Sequence, residues 1–258
     1  MARVLVTGSA DGLGLMSARL LVAQGHTVVL HARDARRAED ALAAAPGAKS
    51  AISGDLSSLA GMRETARQAN ALGRFDAVVH NAGVGYLKPR RVTTEDGLEQ
   101  HFAVNVLAPY VLTALVTRPD RLVYVSSGLH RGGTADLGDL GWERRPWNGM
   151  RAYSDSKLQV TALARYVSGL WGDVLSNGME PGWVATRMGG PEAPDDLELA
   201  PVTQVWLAVS DDPAARTSGG YFYHQEPCPV HPAVLDPEFG RRVAEVCREA
   251  SGIDLPAA

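Results

Sequence analysis

The apolar positions of this chain switch period in a regular alternation. Short runs rich in Val, Leu and Ile give way to stretches whose apolar residues recur at helical spacing. Residues 3–7 read as a first strand. Residues 15–23 read as a helix, with Leu15, Ala18, Leu21 and Val22 on one face. The same alternation predicts strands over 27–31, 49–53, 75–80, 121–126, 174–179 and 220–224. Helices are predicted over 36–45, 58–72, 94–115, 152–170, 203–209 and 238–251. Strands that alternate with helices of this length imply an α/β fold, a doubly wound parallel sheet of about seven strands covered on both faces. The length, 258 residues, fits one domain over 1–258. Ligands of such sheets bind at the carboxyl ends of the strands. Gly8, Asp55, Asn81, Ser127 and Pro181 each follow a predicted strand.

The first strand breaks into Gly8-Ser9-Ala10-Asp11-Gly12-Leu13-Gly14 before the first helix. A strand feeding a glycine-rich turn that opens a helix is a phosphate site. Gly8 permits the tight turn, Gly12 leaves room for a pyrophosphate, and Gly14 lets helix and strand pack closely. The spacing is G-x-x-x-G-x-G rather than the usual G-x-G-x-x-G.

Composition narrows the partners. With 45% hydrophobic and 21% charged residues the chain is ordinary for a soluble globular protein. A net charge of −4 gives no electrostatic case for nucleic acid or an anionic membrane. Two cysteines, Cys228 and Cys247, make no disulfide scaffold. No signal peptide precedes the first strand and no apolar run is long enough to span a bilayer, so the expectation is a cytoplasmic protein.

Tyr153 and Lys157 stand four apart at the start of a helix, hence on one face. An ammonium beside a tyrosine favours the phenolate and lowers a pKa that is otherwise near 10. Lysine is scarce here, three against 22 arginines, yet one sits at this point. Ser126 and Ser127 follow the fifth strand, and either hydroxyl can face a substrate carbonyl. Asn105 interrupts an apolar helix and must find partners, as a cap for a backbone group or as the seat of a water leading to Lys157. His224, Cys228 and His231 lack a fourth ligand, so no metal is expected.

In this order, the residues Thr7-Gly8-x-x-x-Gly12-x-Gly14, Asp55-Leu56, Asn81-Ala82-Gly83, Asn105, Ser127, Tyr153-x-x-x-Lys157 and Pro181-Gly182-x-x-x-Thr186 resemble the short-chain dehydrogenase/reductase family in its single-domain form. The motifs His80-Asn81-Ala82-Gly83 and Val125-Ser126-Ser127-Gly128-Leu129-His130 are similar to its retinol-dehydrogenase-like branch. The resemblance implies a sheet order of 3-2-1-4-5-6-7 and an enzyme that interconverts a ketone or aldehyde and an alcohol by hydride transfer. It implies Tyr153 as general acid and base, Lys157 as the ribose holder, Ser127 rather than Ser126 on the carbonyl, and Asn105 in the proton relay. The cofactor residues it implies are Gly8, Ser9, Asp11, Gly12, Leu13 and Gly14 of the loop, Arg33, Asp55 and Leu56 near the adenosine, Asn81, Ala82 and Gly83, and Pro181, Gly182, Val184 and Thr186 near the nicotinamide, with Tyr153 and Lys157. By family analogy the helices at 94–115 and 152–170 are candidates for a homo-oligomer interface.

The sequence departs from the family in two places. His80 stands where a first Asn is usual. The 26 residues from Ser127 to Tyr153 exceed the common gap, as they do in the retinol-dehydrogenase-like branch. The extra segment, 129–150, brings Trp142, Trp147 and Met150 towards the site. Residues 187–200, rich in Gly and Pro, read as a substrate lid, and together they point to a fairly large, apolar carbonyl compound. NADP(H) is favoured over NAD(H): the family's acid position falls on Ala32, and Arg33 follows with a guanidinium suited to a phosphate. Asp34 and Asp11 weigh the other way, and Arg33 with Asp34 also reads as a solvated charge pair. The alternative function is a non-catalytic protein that senses the nicotinamide cofactor on the same fold.

Overall fold

Strand β1 (Arg3–Val6) lies near the middle of an eight-stranded sheet in the computed structural model, which describes residues 1–257. The sheet runs β3 (Ser50–Ser53), β2 (Thr27–Ala32), β1, β4 (Ala77–His80), β5 (Arg121–Val125), β6 (Leu175–Met179), β7 (Tyr221–Tyr223), β8 (Glu226–Pro227). The first seven strands pair in parallel, in the order expected, and only β8 is antiparallel. The eighth strand is an addition to the expected seven. It returns through His224 and Gln225, both at positive φ, which is the backbone of a tight two-residue hairpin turn. Neither residue is a glycine and the strand contains Pro227, so the sequence carries no turn or strand signal there.

The helices are α1 (Gly12–Ala23), α2 (Ala35–Ala44), α3 (Leu59–Ala71), α4 (residues 100–115), α5 (Gly149–Leu170), α6 (Val202–Val209) and α7 (Pro237–Ser251). Successive strand residues point to opposite faces. Leu5, Val29, Val78 and Leu122 therefore join α3, α4, α5 and α7 in one core. Val4, Val6, Val28, Leu30 and Val123 join α1, α2 and α6 in the other.

Helix α4 begins six residues later than the predicted 94. Thr94 to Leu98 form a tight turn with Gly97 at positive φ, and Glu99 then caps the helix through the N–H groups of His101 and Phe102. Ala103–Leu107 is wound as a π-helix. Pro109 has no N–H to give the Asn105 carbonyl, so the regular ladder is broken at that turn in any case.

Trp142 is buried within the 129–150 segment, with the Arg145 guanidinium 3.5 Å above its ring and Trp147 edge-on at 5.6 Å, and it lines a small cavity with Glu99, Phe102 and Gln159. Buried Asp155 pins this segment to α5, accepting from the Thr134 N–H and from Arg145, each at 2.8 Å. One side of α4 and of α5 is covered within the chain. Helix α7 packs on both through Phe239, Val243 and Cys247, while the Tyr110 hydroxyl donates to the Ile253 carbonyl and Trp171 to that of Pro256.

Two histidines sit inside the sheet region as neutral rings. Burial pushes His31 down to about 4 and His80 down to about 3 from an ordinary 6.5. As pH falls below 6.5 the unfolded chain takes up protons that the folded chain refuses. Stability therefore falls from pH 6.5 to about 4, by about 1.4 kcal/mol per pH unit for each ring. Urea midpoints at pH 7.5 and 5.0 check this. The His80→Asn variant is expected to flatten the slope, and a wild-type slope unchanged by that variant would contradict the account.

Candidate active site

The loop after β1 is fixed from three sides. Gly8 has φ +63°, and a Cβ there would sit 2.8 Å from the Ala82 backbone. Its N–H donates to His31 Nδ1, while His31 Nε2 bonds the Gly54 carbonyl, so a buried imidazole links β1, β2 and the β3 loop. The Thr7 hydroxyl accepts from the N–H groups of Asn81 and Ala82 at 3.0 Å each. The Asn81 amide returns two bonds, to the carbonyls of Thr7 and Gly8. Gly14 lies against this knot. A Cβ at Gly14 would come within 2.4 Å of both Asn81 Nδ2 and the Gly8 carbonyl oxygen.

Gly12 is different: it has φ +52°, and nothing lies within 4 Å of the point where a Cβ would stand. That open space is over the N-terminus of α1, where the first N–H groups lack helical partners. Asp11 caps Gly12 at 2.8 Å and its other oxygen is 3.3 Å from Arg187, both side chains being well exposed. Leu13 is half-buried beside it. Ser9 faces inward: its buried hydroxyl donates to the Val6 carbonyl and accepts the His31 N–H.

At the β5 end Lys157, Tyr153, Ser127 and Asn105 come together. Lys157 is buried, its Nζ donates to the Val125 carbonyl at 2.8 Å, and it lies 5.6 Å from the centre of the Tyr153 ring. A Cβ on Gly83 would meet Asn105 Oδ1 at 3.3 Å and Lys157 Nζ at 3.6 Å, so the glycine leaves space that both groups border. Asn105 accepts from the Val84 N–H and donates to its carbonyl and to the Ser156 hydroxyl. The two serines divide. Ser126 is buried on Thr161 and the Lys157 carbonyl, whereas Ser127 is half-buried and its hydroxyl accepts from the Leu129 N–H at 3.3 Å.

The ionisation of the pair runs against the expected depression of the tyrosine. Burial pushes Tyr153 up to about 12, opposed by the neighbouring Ser127 hydroxyl, and burial pushes Lys157 down to about 8. Both groups are out of water, and in each the loss of solvation outweighs the attraction that the sequence spacing suggests.

The remaining expected residues line the strand ends less uniformly. Arg33 is exposed beyond β2, 3.8 Å from Asp34, whose carboxylate caps α2 through the Arg37 N–H. Asp55 is exposed and accepts from the Ser57 N–H, while Leu56 is buried in the core. Pro181 and Gly182 follow β6; Gly182 has φ +84°, and Asp195 lies within 2.6 Å of where a Cβ would stand. Val184 is buried and bridged to Asp195, and Thr186 accepts from the Gly189 N–H.

Sequence reasoning missed four contributors: His31, the Thr7 hydroxyl, the Glu99–His101 pair and Glu180. Glu180 is buried at the end of β6, on Arg131 at 3.0 Å, and fills the space beside Gly128. His31, His101 and Glu180 are polar residues in or beside apolar runs, a signal that was legible.

A model of the short chain dehydrogenases matches residues 2–196. The chain belongs to the short-chain dehydrogenase/reductase family. It is an oxidoreductase of that family, whose members bind nicotinamide cofactors. An uncharacterized oxidoreductase of Emericella nidulans is 40% identical over 99% of this chain and 99% of its own. A short-chain dehydrogenase of Penicillium rubens is also 40% identical, over the full length of both. Human retinol dehydrogenase 13 is 31% identical over 98% of this chain and 86% of its own. Among solved structures, an uncharacterized protein from Mycobacterium paratuberculosis has a TM-score of 0.84 at 25% identity, over 99% of this chain and 95% of that one. No helix among the described residues of this dehydrogenase is long and apolar enough to cross a membrane.

The Gly14 contacts generate a direct prediction. Gly14→Ala sets a methyl against backbone that cannot rotate away, so a loss of about 1–3 kcal/mol is expected. Chemical denaturation measures it, and a variant as stable as the wild type would contradict the close packing.

Proposed function

We propose that this enzyme reduces an apolar ketone or aldehyde with hydride from NADP(H), Tyr153 giving the proton. The convergence of Tyr153, Ser127, Lys157 and Asn105 at the carboxyl end of β5 carries the reading. Tyr153 keeps its proton throughout the neutral range because burial holds it near 12, which suits an acid better than a base. Ser127 orients the carbonyl oxygen towards the Tyr153 hydroxyl. Lys157 holds a positive charge beside both, and Asn105 fixes the Val84 backbone next to it.

The cradle fits a dinucleotide. The open space at Gly12, the free N–H groups of α1 and the pocket bordered by Gly83 and Lys157 lie along one line of strand ends. Gly8, Asp11, Gly12 and Leu13 would border the pyrophosphate, Asp55 and Leu56 the adenine, and 181–186 the nicotinamide. Ser9 and Gly14 support that loop from within. When bound, the cofactor supplies the hydride. The absence of a carboxylate at Ala32 and the exposed Arg33 support NADP(H), since a guanidinium binds phosphate through paired hydrogen bonds. Leu87, Leu129, Met150, Trp183 and Met188 are large apolar side chains left exposed in the 83–88 loop, the 129–150 segment and the stretch after β6, and Met188 lies against Gly85, which supports an apolar substrate.

Tyr153→Phe is expected to lose at least about 10²-fold in turnover while binding cofactor as before. A carbonyl screen with NADPH oxidation as the readout tests it, and near-wild-type turnover would overturn the assignment. Arg33→Ala is expected to weaken NADPH binding about tenfold and leave NADH unchanged, the loss of a charge-assisted contact. Equal effects on both cofactors, by fluorescence titration, would remove the NADP preference. Lys157 carries its proton below about pH 8 and loses it above. The reduction rate should therefore fall as pH rises through that value, and a rate flat to pH 10 would contradict a role for its charge.

A further inference from the structure

One buried imidazole joins four stretches of chain at the active site. His101 is 1% exposed. Its Nδ1 is 2.8 Å from Glu99 Oε1 and its Nε2 is 3.1 Å from the Gly85 carbonyl oxygen. The Gly85 carbonyl can only accept, so the ring donates to it through Nε2. The Glu99 carboxylate is itself fixed, its second oxygen accepting the N–H groups of His101 and Phe102. The ring lies 5.7 Å from Trp147 of the 129–150 segment and stands edge-on to Tyr153 at 6.4 Å.

What His101 grips matters as much as what surrounds it. Gly85 precedes Tyr86, whose ring meets Tyr153 edge-on at 5.6 Å. Gly85 also supports Met188: a Cβ at Gly85 would lie 3.1 Å from its Sδ. The 83–88 loop is held at Val84 by Asn105, at Gly85 by His101 and at Lys88 by the Trp147 indole. Of these three anchors, His101 stands edge-on to the Tyr153 ring. The loop has no strand or helix of its own to fix Tyr86.

We propose that His101, seated on Glu99, is a positioning residue: it holds the Gly85 carbonyl so that Tyr86 stands against Tyr153 and Met188 of the 187–200 segment closes on Gly85. Tyr86 and Met188 then form a wall that selects bulky apolar carbonyl compounds over small ones. This selectivity rests on the reading of Tyr153 as the proton donor, while the anchoring of the loop does not.

Hydrogen exchange and kinetics test the two parts on the NADPH-loaded enzyme. In His101→Ala, peptides covering 83–90 and 187–200 are expected to exchange about tenfold faster, with β1, β4 and β5 unchanged, as the loss of one buried hydrogen bond allows. His101→Gln keeps an amide donor for Gly85 and is expected to restore protection. With benzophenone and propanal as probes, kcat/KM for the ketone falls about tenfold in His101→Ala and stays within about twofold for the aldehyde. Tyr86→Ala is expected to reproduce that split, and the double variant to be no worse than the poorer single one. If His101→Ala does not fold, Tyr86→Ala and His101→Gln carry the same comparisons. Unchanged exchange in both segments, or an equal loss for both probes, overturns the proposal. Should Tyr153→Phe remain active, the proton-donor reading fails and the exchange result alone decides the anchoring.

Discussion

The arrangement depends on keeping one amine out of water. Lys157 is buried in α5 with a single protein hydrogen bond, to the Val125 carbonyl at the last residue of β5. Removing an ammonium from solvent costs several kcal/mol unless its remaining donors are satisfied. The space that borders Nζ also borders Asn105 and the missing side chain of Gly83, so the amine lies at the opening this glycine leaves. The tether to Val125 sets the depth of α5 against the sheet. That depth puts Tyr153, one turn earlier, beside Ser127, two residues beyond Val125.

Around this point the polar groups are shared out with few spare atoms. Thr7 and Asn81 bind the ends of β1 and β4 to each other, and His31 adds β2 and the β3 loop. Asn105 serves Val84, Ser126 serves Thr161 and the Lys157 carbonyl, and His130 contributes its Nδ1 to the Ser127 carbonyl at 2.7 Å. Partial satisfaction of such a network is worse than none, because each orphaned buried group costs its desolvation.

Much of this was legible in the sequence because period and order carry it. The switch between a period of 2 and helical spacing gives the parallel sheet, and the seven-strand order follows from right-handed crossovers and the family match. The hairpin through His224 and Gln225 was not legible, since neither residue type announces positive φ. Helix α4 starts at 100 rather than 94 because its cap is Glu99, whose carboxylate takes the His101 and Phe102 N–H groups. The stacking of Trp142 on Arg145 is a contact made within the extra segment, and spacing rules do not show it. The Tyr153–Lys157 spacing located the pair, but burial, which sets the direction of both ionisations, belongs to the tertiary structure.

The central claim is that Tyr153 is a buried acid whose ionisation answers to charge placed beside it. An ultraviolet difference titration of the wild type against Tyr153→Phe reads that one phenol directly. Without cofactor, the Tyr153 signal is expected to emerge only as pH approaches about 12. With saturating oxidised cofactor, whose nicotinamide ring is positive, it is expected to emerge at lower pH, since a nearby positive charge favours the phenolate. A titration that is the same with and without the cofactor would contradict the account.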